Sequence, residues 1–130
     1  DEVLSGEDLQ PKLRVDGIVR LGEIDFDLLR SLEKLEPFGA GNPRPVMASR
    51  GVRLIGEPRT IGRSKNHVKL TLGPSSGSGS TFECVGWGMA GRLPKTGSDV
   101  FDVAFAPQIN EWNQVRRIQL VLKDIHAANL

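Results

Sequence analysis

Cysteine is nearly absent from this chain. Cys84 stands alone among 130 residues, so no intrachain disulfide can form and a cysteine-rich zinc site is excluded. It lies in the apolar run FECVGW and reads as a small buried hydrophobe. Tyrosine is missing, and five Phe and two Trp are the only aromatics, so aliphatic side chains must fill the core. The two histidines, His67 and His126, lie far apart with no Asp/His cluster around either, which leaves no grouping suited to a catalytic divalent metal. A Gly-rich phosphate loop with its Lys is also missing. Gly77-Ser78-Gly79 superficially resembles a nucleophile elbow but belongs to a Ser/Gly run, not to a strand-to-helix turn. On its own the chain is not expected to turn over a substrate and has no resident cofactor or metal. With no apolar stretch of transmembrane length and no signal peptide, a cytoplasmic location is the default expectation. The chain opens on Asp1 without an initiator Met, which suggests a fragment of a larger protein.

What is present is unevenly distributed. The net charge is only +1, yet residues 1–36 hold ten of the sixteen acids and five of the seventeen bases. An acidic lead is thus followed by a basic remainder, and the imbalance points to a polyanionic partner for the second part. The length suits one domain with an appended segment: a lead over residues 1–36 that links to an upstream domain, and a folded unit over 37–130.

Within the lead, Lys12–Leu21 reads as extended. Asp25 is a helix N-cap candidate, followed at helical spacing by Leu28, Leu29, Leu32 and Leu35. Pro37 disfavours helix at Glu36. In PFGAGNPRP, the prolines restrain the backbone and the glycines free it, so Phe38, Gly39, Gly41, Asn42 and Pro43 are predicted to form a rigid interdomain elbow. Strands dominate from there. Val46–Ile55 is predicted as a strand bent at Gly51, followed by a basic loop over Pro58–Asn66. Val68, Leu70 and Leu72 alternate with polar residues as in a half-buried strand. GPSSGSGS, residues 73–80, reads as a flexible hairpin tip. Thr81–Trp87 is a third strand, Met89–Leu93 a short helical turn, and Val100–Ile109 and Val115–Ile125 the last two strands. Three strands, a short helix and two strands is the order of an OB-fold, a five-stranded Greek-key barrel, making the fold class mainly β; an SH3-like barrel fits the same spacing.

OB-folds bind nucleic acid across strands 2 and 3, between the loops joining strands 1–2 and 4–5. On that frame the first loop carries Arg59, Arg63 and Lys65, and strand 2 begins with His67 and Lys69. Residues 58–72 contain no acid. The second loop carries Trp112, with Arg116 and Arg117 just after it. These eight residues are the candidate contacts to single-stranded DNA, with cations tracking phosphate and a flat ring stacking on a base. Plain structural readings stand beside them. The loop cations can be a solvated surface, and Trp112 can plug the barrel end. Trp87 reads as a core or domain contact before a stacking ring, and His67 as a polar strand start. Adjacent on a strand, Arg116 and Arg117 must point to opposite faces.

PFGAGNPRPV at 37–46, HVKLTL at 67–72, and INEWN with IQLVLKDI at 109–125 resemble the C-terminal OB domain of the RecJ family. LQPKLRVDG and LLRSLEKLEPFG resemble the stretch that precedes that domain. RecJ proteins are bacterial single-strand-specific 5′→3′ DNA exonucleases of the DHH phosphoesterase superfamily. The resemblance implies a parent enzyme of DNA repair and recombination that uses Mn²⁺ or Mg²⁺, whose metal-holding Asp/His motifs match nothing here. It implies for this piece the binding and positioning of single-stranded DNA beside an upstream catalytic domain of the same chain. The alternative is a docking module that joins the nuclease core to a partner such as a single-strand-binding protein. Two departures stand out: Gln114 replaces a Gly common after the N-x-W-N turn, and the SGSGS run has no counterpart.

Overall fold

A computed structural model describes residues 2–3, 14–36, 43–76, 79–93 and 100–128 of the chain. In chain order the elements are β1 (Glu2–Val3), β2 (Arg14–Val15), β3 (Gly17–Ile18), α1 (Phe26–Glu33), β4 (Met47–Ile61), β5 (His67–Pro74), β6 (Phe82–Gly86), β7 (Val100–Trp112) and β8 (Val115–Ala127). Strands β4 to β8 close a barrel in the order β4-β5-β6-β8-β7, with β7 returning to pair with β4. The β6–β8 pair is parallel and the other barrel pairs are antiparallel. This is the five-stranded Greek-key OB topology, and the pairing order settles the choice against an SH3-like barrel.

Period-two alternation decides what faces inward. Val68, Leu70 and Leu72 of β5, Phe82 and Cys84 of β6, Phe101, Val103 and Phe105 of β7, and Leu120 and Leu122 of β8 form one core with Val52 of β4. Each buried side chain of this size contributes about 1.5–3 kcal/mol. Closure depends on β4, whose first half pairs with β7 and second half with β5. A bulge between Ser49 and Val52 makes that switch. Gly51 sits there at φ 65°, and its N–H donates to Asp102 Oδ1 at 2.9 Å, so the bend expected at this glycine is built in.

The lead segment is stitched to the barrel. β3 pairs in parallel with the start of β4, Val19 N–H donates to Ala48 O at 2.8 Å, and Ser49 Oγ donates to Val19 O at 2.7 Å. Asp25 caps α1 by accepting from Leu28 N–H at 2.8 Å. Leu21, Ile24 and Leu29 enter the same core as the barrel strands. The helix ends at Glu33, earlier than the leucine spacing predicts, and Leu35 lies in the following turn with its side chain exposed.

Other expectations need correction. The basic loop is shorter than Pro58–Asn66, because β4 continues to Ile61 and pairs Arg59 with Lys69, Thr60 with Val68 and Ile61 with His67. Pro58, which has no N–H to donate, falls in an irregularity between Ile55 and Arg59 where the ladder needs none. Residues 89–93 form turns in place of a helical turn, although Met89 is buried against the core. β7 runs past the predicted Ile109 to Trp112, and β8 starts at the predicted Val115 but runs on to Ala127. Of the elbow, Phe38, Gly39, Gly41 and Asn42 lie outside the described residues, as do residues 77–78 of the Ser/Gly run; Pro43 is exposed.

Candidate nucleic-acid interface

The far ends of β7 and β8 form a two-stranded arm. β8 pairs with β6 only from Gln119 to Val121, so the backbone of residues 115–118 pairs with β7 alone, and the arm closes through the Trp112–Val115 pair. Its two connecting residues, Asn113 and Gln114, have φ of 51° and 65°. Two successive positive φ values are the signature of a type I′ turn, whose twist matches that of the flanking strands.

At the tip Trp112 is 77% exposed. It does not plug the barrel, whose interior aliphatics and phenylalanines already fill. On β7, Gln108 and Asn110 share its face, and on β8 Arg117 and Gln119 lie opposite them. This face continues onto Glu83 of β6 and Lys69 of β5, outlining an open groove of about 620 Å³ lined by Lys69, Glu83, Asn110, Trp112, Arg117 and Gln119 among others. Its floor is a connected polar row. Asn110 Nδ2 donates to Gln119 Oε1 at 2.9 Å, Gln108 Nε2 reaches the same oxygen at 3.3 Å, and Gln119 Nε2 donates to Glu83 Oε1 at 3.1 Å. Lys69 Nζ stands 3.7 Å from Glu83 Oε2. Such a row holds the side chains in place beside an exposed ring and two cations.

The two arginines separate as strand geometry requires. Arg117 lines the groove. Arg116 turns to the helix side, its Cζ 5.9 Å from the centroid of the Phe26 ring, within cation–π range. Arg59 pairs with Lys69 across β4–β5 and shares a small cleft with Lys69, Glu57 and Glu83. Arg63 and Lys65 are exposed on the turn that follows β4. His67 is half-buried beside that turn, and its Nδ1 accepts from Gly88 N–H at 2.7 Å. Lys69, Trp112 and Arg117 thus meet in one groove, Arg59 borders it, Arg63, Lys65 and His67 cluster at the β4–β5 turn, and Arg116 faces away.

Two features escaped the sequence pattern. Gln119 and Glu83 line the groove and Gln108 bonds to Gln119 beside it, roles signalled in the sequence at most by Gln108 sharing strand parity with Trp112 and Gln119 with Arg117. Trp87 is 58% exposed and not in the core. Among the described residues, no three His, Cys, Asp or Glu side chains are grouped so as to hold a metal ion. No helix among them is long and apolar enough to cross a membrane.

The family described as RecJ OB domain matches residues 15–124. The single-stranded-DNA-specific exonuclease RecJ of Bacillus subtilis (strain 168) is 33% identical over 129 residues, covering 95% of this chain and 15% of that protein. The enzyme of the same description from Haemophilus influenzae is 28% identical over 120 residues, covering 92% of this chain and 20% of its own. Among solved structures, RecJ from Thermus thermophilus in complex with Mn²⁺ matches with a TM-score of 0.52 at 22% identity, over 79% of this chain and 14% of that one, a likeness of fold. The chain therefore spans only a small part of the relatives' length. With the OB topology and a family match running through nearly the whole described barrel, the chain belongs to the RecJ OB domain family.

Proposed function

We propose that this chain is the single-stranded-DNA-holding domain of a RecJ-like 5′→3′ single-strand-specific exonuclease of DNA repair and recombination. The observation that carries the reading is the groove beside the β7–β8 arm, where the exposed Trp112 ring, Lys69 and Arg117 line one face of the barrel. A ring and fixed cations hold any sequence, because every base has a π-face and every nucleotide a phosphate. Arg59, Arg63 and Lys65 extend the positive border. Phosphodiester hydrolysis, and the Mn²⁺ or Mg²⁺ it uses, belong in this reading to an upstream catalytic domain of the same protein, and a cytoplasmic location goes with it. Residues 1–36 are the link to that domain. Ile18, on the short strand at the margin of the barrel sheet, and Leu35, just past α1, are apolar yet exposed, which favours contact of the lead segment with the upstream part. Docking to a separate single-strand-binding protein through the Phe38 segment is the alternative.

Fluorescence anisotropy of a labelled oligothymidylate titrated with the chain at several salt concentrations tests the reading. Binding should weaken with salt, with a log–log slope of about −0.7 per phosphate contact. Binding absent at low salt would overturn it. The same chain supplied with Mn²⁺ or Mg²⁺ should leave the oligonucleotide intact, and chelator-sensitive cleavage that co-purifies with the chain would move the active site into these residues.

A further inference from the structure

Trp87 is the second tryptophan of the chain, and its setting is unlike that of a core residue. The interior beside it is already filled. A Cβ added to the preceding Gly86 would lie 3.1 Å from both Met89 Sδ and Val68 Cγ1, so Met89 and Val68 press directly on that backbone and the indole is left outside. There the ring is held. It meets His67 edge-on, with centroids 5.1 Å apart and an interplanar angle of 79°. Gly88 N–H donates to His67 Nδ1 at 2.7 Å, which keys the imidazole to the backbone just past Trp87. The imidazole also lies against the β4–β5 turn, where a Cβ at Gly62 would come within 3.0 Å of His67 Cδ2. An edge contact engages one side of the indole, and 58% exposure leaves the rest open. Aromatic rings held in this way at a surface lose little freedom on stacking.

The position is as telling as the exposure. On β5, Val68, Leu70 and Leu72 face inward, so His67 and Lys69 face outward. On β6, Phe82 and Cys84 face inward, so Glu83 and Val85 lie on the outer face, where Val85 is itself covered, and Trp87, just past the strand, is set on this face by its contact with the outward-facing His67. Trp87 therefore continues the face that holds the Trp112 groove, on the far side of Lys69. Trp87 lies four positions beyond Glu83, and Val115 lies four positions before Gln119, the parallel partner of Glu83 on β8. At about 3.3 Å per residue the two rings stand on the order of 25 Å apart along the face. Lys69 lies between them, Arg63 and Lys65 flank the Trp87 end, and residues 58–72 include no acid.

We infer that Trp87, propped by His67, is a second base-stacking platform, so that single-stranded DNA crosses the outer faces of β5 and β6 from Trp112 to Trp87. The inference rests on the single-strand-binding reading above and adds to it the extent and far end of the binding track.

Because the chain has two tryptophans, Trp112→Phe leaves Trp87 as the sole indole. Its emission is followed during titration with oligothymidylates of about 4 to about 16 nucleotides, the range of OB-fold site sizes, with anisotropy read on parallel samples. The longer oligomers should quench Trp87 and the shortest should not. Trp87→Ala should weaken binding of the longer oligomers by about 5- to 150-fold, the equivalent of one stacked base, and leave the shortest unaffected. If anisotropy reports binding of the long oligomers while Trp87 emission stays constant and Trp87→Ala keeps full affinity, the inference is overturned and the single-strand reading survives. If the unmodified chain binds no oligomer, both fall together.

Discussion

Lys69 Nζ and Glu83 Oε2 face each other at 3.7 Å across the β5–β6 pair, on the floor of the groove beside Trp112. Both side chains are partly exposed, so the pair adds little to stability. Its consequence is electrostatic: Glu83, the one carboxylate among the described residues that line the groove, sits against Lys69, one of the cations lining it. A polyanion entering the groove has to compete for Lys69. Glu83→Gln should therefore strengthen single-strand binding, by about two- to fivefold at low salt, with the gain fading as screening rises. The amide keeps an oxygen for the Gln119 Nε2 donor, so the floor stays connected. Anisotropy at two ionic strengths checks this, and weaker binding by the variant would show that the carboxylate itself holds the ligand.

Trp112 offers a sharper separation of stability from binding. At 77% exposure its ring contributes little to the folded state, so Trp112→Ala should leave the unfolding free energy within about 0.5 kcal/mol of the parent. Single-strand affinity should drop by about 1–3 kcal/mol. Chemical denaturation paired with anisotropy reads both. A large drop in stability with unchanged affinity would reverse the assignment.

The barrel was legible in the sequence because its signals are local. Alternation in residues 67–72 and 118–122 fixes which side chains face inward, and Gly51 and Asp25 announce a bend and a helix start that the structure contains. The groove was only half legible. Lys69 is remote in sequence from Trp112 and Arg117, and the three are joined only by barrel closure, which an OB frame supplies. Arg116 could not be assigned a side from the sequence, since that depends on Phe26 of the lead segment packing beside β8. A core position for Trp87 fails for a similar reason: the interior space it would fill is taken by Met89, a residue from the following turn.

Arg63 and Lys65 sit on the turn after β4, exposed and without an acidic neighbour in residues 58–72. If they meet phosphate, replacing both with Ala should lower the magnitude of the salt slope by about 0.7 for each phosphate left unneutralised, with little base preference in the effect. An unchanged slope in an anisotropy titration would assign them to the solvated surface.

Cys84 is fully buried, and burial first, with the Glu83 charge beside it second, pushes its thiol far above the ordinary range. The neutral thiol is thus favoured by the folded state. Its contribution to stability is complete below the unfolded thiol's pKa, about 8.5, and is lost as pH rises beyond that toward the folded value, because unfolding then releases a proton. Denaturation midpoints should accordingly fall above about pH 8.5, and Cys84→Ser or Cys84→Ala should flatten that fall. A thiol reagent should label Cys84 at the rate of unfolding; rapid labelling of the native chain would contradict its burial.

Gln114 is the second residue of the two-residue turn that closes the β7–β8 arm, and its backbone is strained there. At φ 65° it occupies the left-handed region, which costs an L-residue with a Cβ roughly 1–2 kcal/mol relative to glycine. Asn113, at φ 51°, tolerates that region better, and an Asn-Gly pair is the preferred dipeptide of a type I′ turn. Gln114→Gly should therefore stabilise the chain despite the added freedom of the unfolded state. A net gain of about 1 kcal/mol would raise the melting temperature by about 4 °C. The side chain is exposed and is not among the groove's lining residues, so single-strand affinity should change little unless the arm must bend to admit DNA. Thermal melts with anisotropy on the same preparations separate the two effects. A lower melting temperature would mean that the Gln114 side chain contributes more than its backbone strain removes.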